Sequence, residues 1–89
     1  MKQKRTAEIK NELGLHARAA AMLVKTSNKY KAKLILTKDD QQVNGKSIMG
    51  VLTLAAAKGS RITLEAEGED ASEMLEELTQ LIENGFGEK

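Results

Sequence analysis

The first regular feature of the chain is an alternation of apolar and polar residues. It occurs in three segments, residues 5–10, 31–37 and 61–67, and a period of two is typical of a half-buried strand. The apolar members, which we expect to face the core, are Ala7, Ile9, Ala32, Leu34, Leu36, Ile62, Leu64 and Ala66. A pair of aspartates at 39–40 and the short polar run 41–43 predict one more strand, which closes a hairpin with the second segment.

Three other segments have the spacing of helices. The first begins after the only histidine and is rich in Ala, Met, Leu and Lys, which are good helix formers. Its predicted buried face consists of Ala20, Leu23, Val24 and Ser27, and its predicted exposed stripe of Arg18, Met22, Lys25 and Lys29. A second, largely apolar helix follows Ser47, and a third follows Asp70-Ala-Ser-Glu73, which resembles a capping box. Gly85 is expected to end the third helix, with Phe86 as its hydrophobic partner.

The predicted order of elements is β-α-β-β-α-β-α, which indicates the α+β class. A hairpin enclosed by two crossovers favours a mixed or antiparallel sheet with helices on one face, as in the split βαβ arrangement. The other face would be exposed, which agrees with the polar side chains of Lys33, Thr63 and Glu65. The 89 residues contain no repeat or linker, so we expect a single domain over residues 1–89.

The composition excludes several classes of protein. Without cysteine the chain has no disulfide and no thiolate metal site, and one histidine cannot make a histidine-rich metal site. The 14 basic residues nearly balance the 13 acidic ones, which argues against a general binder of nucleic acid. The basic start of the chain leads into no apolar segment of signal-peptide length, and no run approaches the ~18 apolar residues of a membrane span. We expect a cytoplasmic protein without metal, cofactor, nucleic acid or membrane insertion.

Two features that suggest nucleotide or RNA binding do not hold. The Gly-Lys-Ser sequence at 45–47 ends like a P-loop, but Asp40 stands where that motif requires its first glycine. Split βαβ sheets often bind RNA through aromatic side chains on exposed strands. The only aromatic residues here are Tyr30 and Phe86, and neither lies in the middle of a predicted strand. An RNA-binding domain is therefore the weakest of the functions considered.

The strongest functional signal lies between Asn11 and Ala20. His16, the only histidine, stands at the predicted start of a helix, with Gly14 permitting a tight turn before it and Arg18 two residues after it. The positive end of a helix disfavours a charged imidazolium, so we expect a neutral ring with a nucleophilic lone pair. Once phosphorylated, the ring would carry roughly two negative charges, which Arg18 and the first N–H groups of the helix would stabilise. The simpler interpretation is a polar cap without further function.

Two motifs carry a resemblance to a known family. They are Gly-Leu-His-Ala-Arg at 14–18 and Val-Asn-Gly-Lys-Ser-Ile-Met-Gly at 43–50. Both resemble motifs of the HPr family, the histidine-containing phosphocarrier proteins of the bacterial phosphoenolpyruvate-dependent sugar phosphotransferase system. The resemblance covers nearly the whole chain and implies an open-faced β-sandwich, with a four-stranded antiparallel sheet and three helices on one face.

The same resemblance implies a function. It implies that His16 accepts a phosphoryl group on Nδ1 from enzyme I, assisted by Arg18, and passes it to sugar-specific IIA domains. The protein would thus be a carrier and not an enzyme. One position departs from the family, which commonly has proline where this chain has Ala19. Proline presets φ in a first helical turn, so alanine should cost ~0.4–1 kcal/mol of stability and leave the chemistry largely unchanged.

Ser47 has two compatible interpretations. As the residue before a helix it is expected to be an N-cap, which is worth about 1 kcal/mol. The resemblance implies that it is also the serine phosphorylated by HPr kinase/phosphorylase. A phosphate at a helix N-terminus would leave the fold intact, and we expect it to weaken the docking of an acidic partner.

A partner-binding surface is expected around these two sites. The second helix has more large apolar side chains than one buried face of a short helix can absorb, and the first helix adds basic residues. The predicted members are Leu15, Lys25, Lys29, Ile48, Met49, Val51 and Leu52. We expect a monomer. The alternative function is a regulatory module of the same fold, from a nitrogen-related or catabolite-control branch, that signals through its phosphorylation state.

Overall fold

The computed structural model describes residues 2–88, and the predicted order of elements is confirmed. The strands are β1 (Lys2–Glu8), β2 (Lys33–Lys38), β3 (Gln41–Asn44) and β4 (Arg61–Glu67). The helices are α1 (Ala17–Ser27), α2 (Ile48–Thr53) and α3 (Ala71–Glu83), followed by a 3₁₀ turn (Gly85–Gly87). β1 begins earlier than the alternation indicated, because its first residues are polar and carry no apolar period.

The four strands form one antiparallel sheet in the order β1-β4-β2-β3. β4 pairs with β1 on one side and with β2 on the other, and Thr63 of β4 stands between Thr6 and Thr37. The residue pattern had left a mixed sheet open, whereas the family resemblance implied an antiparallel one. The antiparallel sheet is confirmed.

One face of the sheet carries the core. The residues predicted to face inward are all at most 2% exposed: Ala7, Ile9, Ala32, Leu34, Leu36, Ile62, Leu64 and Ala66. α3 packs on β1 and β4, while α1 packs on α2 and α3. Because each fully buried leucine or isoleucine contributes about 1.5–3 kcal/mol, a slip of one residue in the register would cost many such contributions. The other face is exposed and carries mainly polar side chains, with Ile35 of β2 as an exposed apolar exception, so the open-faced β-sandwich is confirmed.

The start of α3 differs from the predicted capping box. The backbone of Asp70 (φ −101°, ψ 22°) lies outside the extended region that an N-cap residue adopts, and its side chain makes no cap bond. Its carboxylate instead accepts the N–H groups of Lys31 and Ala32, each at 2.9 Å. The Lys31 bond first, with the Ala32 bond adding to it, holds the pKa of Asp70 below its ordinary value. Asp70 therefore ties the start of α3 to the segment that enters β2.

α1 ends before Lys29, so the prediction that this residue extends the basic stripe of the helix is wrong. The helix closes at Ser27. Lys29 lies in the following turn and pairs with Glu77 of α3. Glu77 also accepts a hydrogen bond from the hydroxyl of Tyr30. Lys29 thus links the end of α1 to α3, whereas Lys25 remains exposed in the last turn of the helix.

After α3 the chain turns back toward the start of α1. Gly85 has a φ of +64°, which confirms it as the helix-ending glycine, and it lies against Asn11. Phe86 is buried in the core at 3% exposure, as expected of its hydrophobic partner. These two residues hold the last described part of the chain beside the loop that precedes α1.

Candidate functional site

The shape of the loop before α1 depends on Gly14. This residue has a φ of +68°, and a Cβ added to it would lie 2.4 Å from the carbonyl oxygen of Ala56. The close approach lets the N–H of Leu15 donate to the same oxygen at 2.8 Å. The segment after α2 therefore fixes the backbone directly before His16.

His16 is the N-cap of α1, in the position predicted for it. Its backbone is extended (φ −74°, ψ 178°), and its carbonyl oxygen accepts the first helical bond from Ala20 at 2.8 Å. Its Nδ1 accepts the backbone N–H of Arg18 at 3.2 Å. An atom that accepts a hydrogen bond has its lone pair on that side, so the Nδ1 lone pair faces the positive end of an eleven-residue helix.

The other ring nitrogen is held by the end of the chain. His16 Nε2 lies 2.5 Å from Oε2 of Glu88, and an ionised carboxylate can only accept, so Nε2 carries the proton in this contact. The second oxygen of Glu88 accepts Nδ2–H of Asn11 at 3.0 Å. The hydrogen bond from His16 first, then the one from Asn11, holds the pKa of Glu88 below its ordinary value, and the charge of Arg18 adds to the effect.

Arg18 stands on the first turn of α1 with an exposed side chain. Its side chain starts two residues from His16 and carries a permanent charge. A dianion bound to Nδ1 would meet the N-terminus of α1, and a guanidinium on the same first turn adds positive charge on that side of the helix. His16 and Arg18 are thus brought together as the sequence predicted.

Comparison with known proteins shows which family the chain belongs to. A profile described as the PTS HPr component phosphorylation site matches residues 3–84. The chain belongs to the HPr family.

Individual HPr proteins are similar to the chain over nearly its full length. Phosphocarrier protein HPr of Neisseria meningitidis serogroup B (strain MC58) is 51% identical over 85 residues, which cover 96% of both proteins. The crystal structure of HPr-C-His from Thermoanaerobacter tengcongensis has a TM-score of 0.94 at 45% identity, covering 98% of each chain. The HPr-like protein Crh of Bacillus subtilis strain 168 is 42% identical over 76 residues, 85% of this chain and 89% of that protein. The resemblance read from the two motifs is confirmed.

Ser47 occupies the second HPr-like motif and is the N-cap of α2, as predicted. Its Oγ accepts the backbone N–H of Gly50 at 3.2 Å, and the residue is half-buried. α2 packs beside α1, so the helix that follows Ser47 and the helix that follows His16 share one side of the molecule.

The expected partner surface is smaller than predicted. Leu15 and Val51 are 4% and 0% exposed, so their inclusion was wrong: both side chains complete the core beneath α1 and α2. Ile48 and Met49 remain, at 43% and 75% exposure, with Leu52 half-buried. α2 therefore does bury one face, and its exposed apolar surface consists of Ile48 and Met49 in the first turn and the half-buried Leu52.

Sequence reasoning missed three residues near His16. Leu13 is an exposed apolar side chain in the loop before it, and Asn11 and Glu88 make the contacts described above. The sequence assigns Asn11 no role of its own beyond the start of the stretch that contains His16, although its side chain is 5% exposed and donates Nδ2–H to the carbonyl of Gly14 at 2.8 Å. Glu88 lies 72 residues from His16 in the sequence, and no periodicity or motif connects the two.

Two absences can be stated for residues 2–88. No group of three or more His, Cys, Asp or Glu side chains in this part of the chain is arranged to hold a metal ion. None of its helices is long and apolar enough to cross a membrane.

Proposed function

We propose that this chain is a phosphocarrier that accepts a phosphoryl group from enzyme I on Nδ1 of His16 and passes it to sugar-specific IIA domains. The observation that carries the proposal is the direction of the Nδ1 lone pair, toward the N–H of Arg18 at the start of α1. Membership of the HPr family supports the same assignment. The chain stores the phosphoryl group between two proteins and catalyses no reaction on a small molecule.

The transfer needs positioning and charge stabilisation more than covalent chemistry by the carrier. The Nδ1 lone pair attacks phosphorus, an N–P bond forms, and the bond from phosphorus to the donor breaks with its electron pair returning to the donor. The product places its oxygens against the N–H groups of the first turn and the guanidinium of Arg18. Transfer to an acceptor repeats these steps with the bonds reversed.

The docking surface in this proposal lies beside the phosphoryl site. Ile48, Met49 and Leu52 supply apolar contact, and Arg18 and Lys25 supply positive charge, so we assign it a partner with an apolar patch and an acidic rim. All of these residues come from one chain, and we propose that a monomer in the cytoplasm, with residues 1–89 as one domain, is the working form.

Regulation at Ser47 is a second part of the proposal. HPr kinase/phosphorylase would transfer phosphate to Oγ, which lies at the edge of the Ile48 and Met49 surface. The added dianion would repel an acidic partner, while the phosphoryl site on His16 stays intact.

A regulatory module is the second candidate function. It is favoured by the similarity to the HPr-like protein Crh of Bacillus subtilis. Such a module would be phosphorylated and would change its binding to a regulator without feeding IIA domains. Transfer of label from the phosphorylated chain to IIA domains separates the two candidates.

The experiment that tests the carrier proposal is incubation with phosphoenolpyruvate and enzyme I. Wild type is expected to take up acid-labile label, and His16→Ala to take up none, because the accepting nitrogen is missing. Thermal melting of both proteins checks that the variant is folded. Acid-labile label that persists in folded His16→Ala would disprove the assignment. A parallel assay with HPr kinase/phosphorylase and ATP should give acid-stable label in wild type and none in Ser47→Ala.

A further inference from the structure

We propose that Asn11 and Glu88 select the tautomer of His16, so that Nδ1 and not Nε2 is the nitrogen free to receive the phosphoryl group. The inference deepens the proposed function and rests on it for its consequence, but the tautomer itself can be measured without any phosphorylation. Both residues are positioning residues, since they contact the imidazole or its partner and never the phosphoryl group.

The orientation of the Asn11 side chain follows from its contact with the carbonyl of Gly14. The carbonyl oxygen of Gly14 can only accept a hydrogen bond, so the atom of Asn11 that contacts it at 2.8 Å must be Nδ2. The same nitrogen presents its other proton to Glu88 at 3.0 Å. This orientation is kept although Oδ1 of Asn11 is buried without a donor among the described residues. Asn11 can therefore only donate a hydrogen bond to the side chain at position 88.

Glu88 in turn determines which nitrogen of the His16 ring carries the proton. One of its oxygens accepts from Asn11, and the other, 2.5 Å from Nε2 of His16, accepts from the ring. A carboxylate offers no proton of its own when ionised, and the bonds from His16 and Asn11 keep it ionised by lowering its pKa. The proton thus resides on Nε2, and Nδ1 keeps its lone pair for the N–H of Arg18.

The arrangement makes an unusual prediction for Glu88→Gln. The glutamine amide has one acceptor and one donor end, and Asn11 requires the acceptor. The amide NH₂ is then presented to Nε2 of His16, which favours an unprotonated Nε2 and a proton on Nδ1, at the expense of the bond from the N–H of Arg18 to Nδ1. The analogous change of a histidine-orienting aspartate to asparagine in serine proteases leaves the geometry intact and gives the wrong tautomer.

The test compares Glu88→Gln with Glu88→Ala. If Glu88 only packs against the ring, the near-isosteric glutamine should be the milder change. If it sets the tautomer, glutamine should be the more harmful, since alanine leaves the ring with only the N–H of Arg18, which still favours the lone pair on Nδ1, while glutamine favours the wrong form. Glu83→Gln is the matched control, because Glu83 lines the same surface depression as Glu88, is exposed, and has no bond to His16.

The primary measurement is ¹⁵N NMR of the His16 ring, recorded at a pH at which a titration of the same protein shows the ring to be neutral. We expect wild type and Glu83→Gln to have the proton on Nε2 and Glu88→Gln to have it mainly on Nδ1. If the reactive tautomer falls to about a tenth, phosphorylation by enzyme I should slow about tenfold, with Glu88→Ala in between.

Each outcome decides the proposal. Glu88→Gln with the proton still on Nε2 overturns it, and so does an inverted tautomer in Glu88→Gln that is phosphorylated at or above the rate of Glu88→Ala. An inverted tautomer with the slower rate upholds it. If wild type takes up no label from enzyme I, no rates are compared: the tautomer alone then decides the positioning role, and only the phosphocarrier function is removed.

Discussion

α1 and α2, the two helices on the candidate surface, begin with similar cap bonds, but their cap residues are held differently. His16 and Ser47 each accept a backbone N–H from the first turn of their helix, and both bonds measure 3.2 Å. His16 is also held by Glu88 from the far end of the chain. Ser47 has only its local bond to α2, a helix of six residues.

The difference is between a cap side chain that is held from two sides and one that is held only by its own helix. A cap bond alone stabilises a helix by about 1 kcal/mol and says little about function. The ring of His16 is fixed on both sides, so its Nδ1 lone pair has one direction, as a phosphoryl acceptor requires. Among residues 2–88, the hydroxyl of Ser47 is bonded only to its neighbour in sequence Gly50. Three changes test this contrast.

The largest effect is expected at the loop that positions His16. In Gly14→Ala the added Cβ meets the carbonyl oxygen of Ala56 at 2.4 Å with φ at +68°, so strain and overpacking add to about 2–4 kcal/mol of lost unfolding free energy. Gly59→Ala is the matched control. It also has a positive φ, +89°, but no atom lies within 4 Å of its Cβ, and strain alone should cost about 1–2 kcal/mol. Equal losses in denaturant melts would mean that contact with Ala56 does not shape the site.

The next effect is expected in the chemistry of the His16 cap. Arg18→Ala removes a charge-assisted contact to the phosphoryl group, worth ~1.5–3 kcal/mol, so phosphorylation by enzyme I should slow about 10- to 100-fold. Lys25→Ala removes the same charge at the far end of α1 and should slow it less, through docking alone. Rates from rapid-quench labelling distinguish the two. Equal slowing by both variants would show that Arg18 acts only through the general charge of the surface.

The smallest effect is expected at the Ser47 cap. Ser47→Ala should lower the unfolding free energy by about 1 kcal/mol and leave labelling of His16 unchanged. Ser47→Asp should keep the fold, because aspartate caps helices well, and should slow labelling through repulsion of an acidic partner. Denaturant melts and enzyme I kinetics measure the two quantities. Labelling of Ser47→Asp at the wild-type rate would exclude a regulatory effect of charge at this position.

The elements that could be predicted from the sequence are those determined by residues close together in the chain. Alternation located the inward residues of β1, β2 and β4, because each side of a strand repeats every second residue. His16 was placed at a helix start by the turn before it and the helix formers after it. Ser47 was recognised as a cap by the apolar run that follows it.

The remainder depended on contacts between distant segments. Asp70 carries the sequence signature of a cap, but two backbone N–H groups near β2 compete for its carboxylate and win. Val51 and Leu15 looked available for a partner, yet the core needed both. Glu88 has no neighbour in sequence that reveals its role, because its partner His16 lies 72 residues away. The two meet only where the turn at Gly85 and Phe86 brings the chain back toward the start of α1.

The central claim is that Nδ1 of His16 receives the phosphoryl group because it alone has a free lone pair directed at the start of α1. The most direct test is NMR of ¹⁵N-labelled protein phosphorylated with phosphoenolpyruvate and enzyme I, with phosphorus-nitrogen coupling read at the His16 ring. We expect coupling to Nδ1, with Nε2 still protonated and bonded to Glu88. Phosphorus coupled to Nε2, or absent from the ring while label is found elsewhere, would contradict it.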